Sequence, residues 1–179
     1  MDRNKLYKLA FFDIDGTLSV PQYDFASVIE SEKGNLEVYQ EFKDFVGGNL
    51  LNGCEESKWV DFNILNSNSY ANCRAPVTIV NFVKKLREKG TVVFALTEEH
   101  FSFALNNKAK WVHEKYKLPL ENVVWVDDKE KKVDMICRIC RLKGIKDLSD
   151  VLMVDDTFSI LLKASEKGIS TAHISEFVV

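Results

Sequence analysis

Short apolar runs alternate with longer amphipathic segments along most of this chain, and that alternation restricts the fold more than any other feature. A strand followed by a crossing helix, repeated, builds a mostly parallel sheet covered on both faces. The expected strands are Leu6–Phe12, Val92–Leu96, Val123–Val126, Val151–Val154 and Thr171–Ile174. Between them, Val77–Lys89 puts Ile79, Val80, Val83 and Leu86 on one face and stops at Gly90, a helix C-terminal signal. Phe101–Tyr116, Val133–Lys143 before Gly144, and Phe158–Lys167 before Gly168 read the same way. The expected fold is α/β, a Rossmann-like three-layer parallel sheet.

The stretch Ser19–Ala75 breaks the rhythm. It holds an amphipathic helix pattern over Leu36–Val46 and an asparagine-rich Asn63–Asn72. At roughly 55 residues it lies near the lower limit for independent folding. The expected organisation is therefore a core of residues 1–18 and 76–179, with 19–75 a small cap over the active edge.

With 46% hydrophobic residues in 179, the chain can bury one good core. Its net charge of -3 gives no field that would draw in nucleic acid or an anionic bilayer. The opening residues carry no apolar signal core, and no stretch is long enough to span a membrane, so a cytoplasmic location is expected. Four cysteines are too few for a disulfide framework. Cys137 and Cys140 form a CxxC, but they sit in a helical pattern with no metal-ligand partners at suitable spacing.

The chemistry-bearing segment is Leu9-Ala-Phe-Phe-Asp13-Ile-Asp15-Gly16-Thr17-Leu18. Residues two apart on a strand point the same way, so Asp13 and Asp15 share one small space while Ile14 turns to the core. Two adjacent carboxylates are unfavourable unless one takes a proton or a cation sits nearby. Gly16 permits a sharp turn, and the N–H groups of Gly16 and Thr17 are candidates for binding phosphate oxygens. Ligands of open α/β sheets bind beyond the carboxyl ends of the strands. Other strands also end in polar groups there: Val92–Leu96 in Thr97, and Val151–Val154 in Asp155-Asp156. Lys132 opens the helix leading to the latter.

These residues resemble the four motifs of the haloacid dehalogenase superfamily of phosphohydrolases, in family order. Asp13–Leu18 matches Asp-x-Asp-Gly-Thr-Leu without a gap, Thr97 falls on the second motif, Lys132-Val-Asp-Met-Ile136 on the third and Asp155-Asp156 on the fourth. The resemblance implies hydrolysis of a phosphate monoester on a small phosphorylated substrate, through an aspartyl-phosphate. It implies Asp13 as nucleophile, Asp15 as general acid, and Thr97 and Lys132 on phosphoryl oxygens. Mg²⁺ would be bound by Asp13, the Asp15 main-chain carbonyl and Asp156, with Asp155 close behind.

Lys129 and Lys131 compete with Lys132 for the phosphate-binding place. Asp127-Asp128 also closes an apolar strand, but it precedes the lysines where the fourth motif should follow, which favours a turn or helix start. Glu98, Glu99 and His100 read as helix N-terminal acids and a possible substrate contact. Lys108-Ala-Lys-Trp111 reads as an amphipathic face, although the same Lys-x-x-Trp resembles the 5′(3′)-deoxyribonucleotidases over a short stretch. That makes a nucleotidase the alternative enzyme, and a non-catalytic phospho-ligand-binding protein the alternative of another class.

Overall fold

The computed structural model describes residues 5–19, 73–99 and 102–177. The chain divides into two compact units, Met1–Val20 with Arg74–Val179, and Pro21–Cys73. Nearly all of the second unit, including the expected helix Leu36–Val46 and the segment Asn63–Asn72, lies outside the described residues.

The first unit runs β1 (Leu9–Phe12), α1 (Val77–Glu88), β2 (Val92–Glu98), α2 (Ser102–Tyr116), β3 (Val123–Val126), α3 (Lys132–Leu142), β4 (Val151–Asp155), α4 (Phe158–Glu166) and β5 (Ser170–His173). The five strands form one sheet in the order β3-β2-β1-β4-β5, every pair parallel. The α/β class and the parallel sheet expected from the alternation are what the chain forms. β1 begins at Leu9 rather than Leu6, because pairing starts at Leu9↔Val92 and Leu9↔Val151 and Leu6 stands exposed. β2 runs through Thr97 to Glu98, paired with Trp125 and Val126, so Thr97 is a strand residue rather than one just past the end.

All four residues of β1 are buried, as suits the central strand of a sheet covered on both faces. Burying a large apolar side chain contributes about 1.5–3 kcal/mol. Leu9 and Phe11 join Phe94, Leu96, Val151 and Met153 under Val133, Ile136 and Cys140 of α3 and Ile160, Leu161 and Ala164 of α4. Phe12 faces the other way, edge-on to Phe82 of α1 with ring centroids 6.2 Å apart. Cys140 is thus a core residue, and burial pushes its thiol up to about 11. Its CxxC companion Cys137 only half-joins the same face, and both thiols are free.

The topology positions the site. The chain leaves β1 to build β2 and β3 on one side, then crosses to β4 and β5 on the other. Strand ends diverge at such a switch point and leave a crevice beyond their carboxyl termini. Phe12 is level with Ala95 of β2 and Val154 of β4, so Asp13 emerges level with Asp155 on one side and with Leu96, the residue before Thr97, on the other.

Candidate active site

Asp13 leaves β1 with the parity of Phe11, toward the α3 face. Its N–H donates to the Val154 carbonyl of β4 at 2.9 Å, and the side chain is buried. Lys132, the first residue of α3, is buried as well and places Nζ 2.6 Å from Asp13 Oδ1 and 3.2 Å from Asp155 Oδ2. The other lysines face elsewhere: Lys131 pairs with exposed Asp127 at 2.8 Å, and Lys129 lies in the 3₁₀ turn before α3. Asp128 caps that turn by accepting from the Glu130 N–H at 2.9 Å. Of the competing lysines, geometry brings only Lys132 to Asp13.

Asp13, Asp155 and Asp156 each offer a carboxylate oxygen, and these lie within 4.8 Å of one another. Asp155 Oδ1 also accepts from the Thr157 N–H at 2.8 Å, which fixes its direction. Three carboxylates therefore face one ammonium. Burial pushes the Asp13 carboxyl up to about 8; Lys132 opposes that rise while Asp155 and Asp15 add to it. Burial alone would lower the Lys132 ammonium, but Asp13 and Asp155 outweigh it and hold it above its ordinary value. Burial and the neighbouring Asp155 likewise raise Asp156. A pocket with this excess of carboxylate takes up a proton or a cation.

The donor set suits a hard divalent ion, since Mg²⁺ prefers a few carboxylates and leaves room for water and phosphate oxygens. The turn supports the same reading. Gly16 has φ +82°, and a Cβ there would lie 2.2 Å from Asp156 Oδ2, so only glycine lets Asp156 come this close. Asp13, Asp155 and Asp156 could hold the ion, and the Asp15 carbonyl lies in the same turn.

That turn is tightly bonded within itself. The Gly16 N–H donates to the Ser19 carbonyl at 2.8 Å and the Thr17 N–H to the Ile14 carbonyl at 3.3 Å. These two N–H groups, expected to be open to phosphate, are thus engaged in the turn. The Thr17 hydroxyl is fully buried and has no hydrogen-bond partner among the described residues. Tyr116 of α2 holds the end of the turn, its hydroxyl donating to the Leu18 carbonyl at 2.6 Å.

Asp15 points away from the carboxylate cluster. Its Oδ2 lies 2.8 Å from Lys108 Nζ and 3.4 Å from the Thr97 hydroxyl. Lys108 is buried and also reaches Glu99 Oε2 at 2.7 Å and Thr97 Oγ1 at 3.2 Å. The amphipathic pattern around Lys108 turns its buried side inward: Lys108, Trp111 and Val112 form one buried stripe of α2, with Lys110 exposed. Trp111 packs against Tyr116 with ring centroids 5.8 Å apart, a core contact rather than a surface for a base. Lys108 and Glu99 are what sequence reasoning missed. The available signal was a lysine in register, at i, i+3 and i+4, with apolar residues of its helix. His100 lies outside the described residues.

A five-stranded parallel sheet carrying an Asp-x-Asp turn at its switch point is the haloacid dehalogenase-like hydrolase fold, and solved structures bear this out. The chain is similar to a haloacid dehalogenase-like hydrolase from Streptococcus pneumoniae, with 16% identity, 92% of this chain and 83% of that one covered, and a TM-score of 0.59. It is similar to phosphoserine phosphatase solved as a phospho-aspartyl intermediate analogue, with 18% identity, 97% and 91% covered, and a TM-score of 0.59. A family enzyme from Bacteroides thetaiotaomicron, solved with magnesium, has 16% identity, 94% and 93% covered, and a TM-score of 0.55. No protein-family model and no curated protein sequence matches the chain.

Proposed function

We propose that the chain is a Mg²⁺-dependent phosphate monoester hydrolase that works through a phosphorylated Asp13. The observation that carries this reading is the convergence of Asp13, Asp155 and Asp156 within 4.8 Å, with Lys132 2.6 Å from Asp13, at the carboxyl edge of the sheet. The fold shared with phosphoserine phosphatase supports it.

An Asp13 carboxylate oxygen attacks phosphorus, and the bond from phosphorus to the leaving oxygen breaks. Asp15 gives that oxygen its proton, so the product departs as an alcohol. Water then attacks the phosphorus of the aspartyl-phosphate and Asp15 takes its proton. The bond to Asp13 breaks and inorganic phosphate leaves. Lys132 and Thr97 neutralise and orient the phosphoryl oxygens, since an anionic nucleophile nears an anionic group only beside positive charge and fixed donors. Asp13, Asp155 and Asp156 would hold a Mg²⁺, which would supply further charge neutralisation in the pocket.

The substrate is a small phosphorylated molecule. The test is turnover of an aryl phosphate with and without Mg²⁺. The native chain should be active only with the ion, and Asp13→Asn should be inactive while keeping its native circular dichroism. Full activity in the folded Asp13→Asn variant contradicts the reading.

A further inference from the structure

Lys108 is the second buried lysine of the site, and the chemistry above leaves it without a task. Its ammonium is enclosed, with the side chain 5% exposed. Among the described residues its acceptors include Asp15 Oδ2 at 2.8 Å, Glu99 Oε2 at 2.7 Å, Thr97 Oγ1 at 3.2 Å and the Glu98 carbonyl at 3.3 Å. Three of these belong to the carboxyl end of β2 and the residue after it, a rigid support. Glu99 is itself buried, and its N–H is tied to the Val126 carbonyl at 2.9 Å.

The fourth acceptor is different in kind. Asp15 sits in a turn with its side chain 46% exposed, where a carboxylate would sample several rotamers if nothing held it. For stability alone an apolar residue would serve a buried helix position as well as a paired lysine or better. The lysine's benefit is therefore to be sought in geometry, at the most exposed of these partners, the Asp15 carboxylate.

We propose that Lys108 and Glu99 are a positioning pair that fixes the direction of the Asp15 carboxylate for proton transfer to and from the reacting oxygen. Glu99 anchors the ammonium from the core side, and the ammonium anchors Asp15 from the pocket side. The proposal rests on the reading of Asp15 as the proton-transferring group.

A misdirected Asp15 slows phosphoryl transfer to Asp13 only where the leaving oxygen needs a proton. Its effect on water attack at the aspartyl-phosphate is the same for every substrate, so the rate to be read is that of the first step, by acid quench within a single turnover. The experiment therefore compares two substrates, an alkyl phosphate, whose alkoxide must be protonated, and a dinitrophenyl phosphate, whose phenolate leaves without one. Lys108→Met should lower the rate of Asp13 phosphorylation by the alkyl phosphate by about 10- to 10²-fold, part of what a general acid supplies. For the aryl phosphate the loss should be under about 3-fold, with KM little changed for either substrate. Lys108→Arg should recover part of the alkyl turnover.

Lys108→Met removes the ammonium 2.7 Å from buried Glu99 and could fail to fold, so the Glu99→Gln/Lys108→Met double variant is measured in parallel. It should regain thermal stability without regaining alkyl turnover. Equal losses on both substrates, a loss confined to KM, or a double variant that recovers stability and alkyl turnover together would overturn the proposal and leave a purely structural ion pair. Failure of the underlying reading looks different: Asp13→Asn would then stay active on both substrates, and the pair's role would fall with it.

Discussion

Replacing Gly16 by alanine separates backbone strain from loss of a metal ligand. At φ +82° an L-residue costs about 1–2 kcal/mol relative to glycine. In a chain of this size that lowers Tm by roughly 2–8 °C. The same backbone cost applies at Gly90, φ +87°, where a Cβ meets nothing within 4 Å, so Gly90→Ala is the control. At Gly16 the new Cβ would lie 2.2 Å from Asp156 Oδ2 and 2.8 Å from its Cγ. The carboxylate must retreat by roughly 1 Å to reach van der Waals contact. A Mg²⁺ ligand tolerates only about 0.2 Å of misplacement. Asp156 is then lost or weakened as a ligand, which should reduce Mg²⁺ affinity about 10- to 100-fold, or about 1.4–2.8 kcal/mol. Isothermal titration with Mg²⁺ and thermal unfolding of both variants make the comparison. Both should lose similar stability, and only Gly16→Ala should lose affinity. If Gly16→Ala binds Mg²⁺ as tightly as Gly90→Ala, Asp156 is not a ligand and the argument from the close approach is wrong.

Lys132→Met should cost about 3–5 kcal/mol in urea unfolding without metal, because it leaves Asp13 and Asp155 buried without their cation. A cost below about 1 kcal/mol would show that the pair does not depend on Lys132. Metal and pH should act together at Asp13. Its folded carboxyl is raised from 3.8 to about 8, so the folded state holds a proton that the unfolded chain has released. Stability of the metal-free protein therefore falls through this group as pH rises between those values. On the proposed reading Mg²⁺ would replace that proton, so the Tm gain at fixed Mg²⁺ should be larger near pH 8 than near pH 6. At 100-fold excess over Kd the stabilisation is about 2.7 kcal/mol. A Tm gain that is equal or smaller at the higher pH would argue against ion binding at Asp13.

What could be read from the letters was what periodicity controls. The alternation of apolar runs and amphipathic segments carries the parallel sheet, and Ile14 turns to the core as expected, fully buried. Val123–Val126 forms over the expected residues, since an edge strand between two clear turns leaves little freedom in its limits. Contacts distant in sequence were not legible. Choosing Lys132 over Lys131 depends on a 3₁₀ turn that sets the rotation of α3, and no periodicity at residues 129–132 reveals it. Gly16 is the turn residue it looked like, but its close approach to Asp156, the residue after β4, was not legible. Asp15 shares the parity of Asp13 yet diverges toward α2, because the strand ends at Phe12 and parity no longer governs the turn. Lys108 was hidden by the habit of placing lysines at the surface. Only its register with Trp111 and Val112 marks it as inward.

The central claim, that Asp13 carries the phosphoryl group, is tested most directly by acid quenching the Mg²⁺-loaded protein during turnover and mapping its peptides by mass. A phosphoryl adduct should appear on the peptide containing Asp13, disappear as substrate is exhausted, and be absent from Asp13→Asn. Turnover with no adduct on that peptide at any quench time, or an adduct on a different residue, would contradict it.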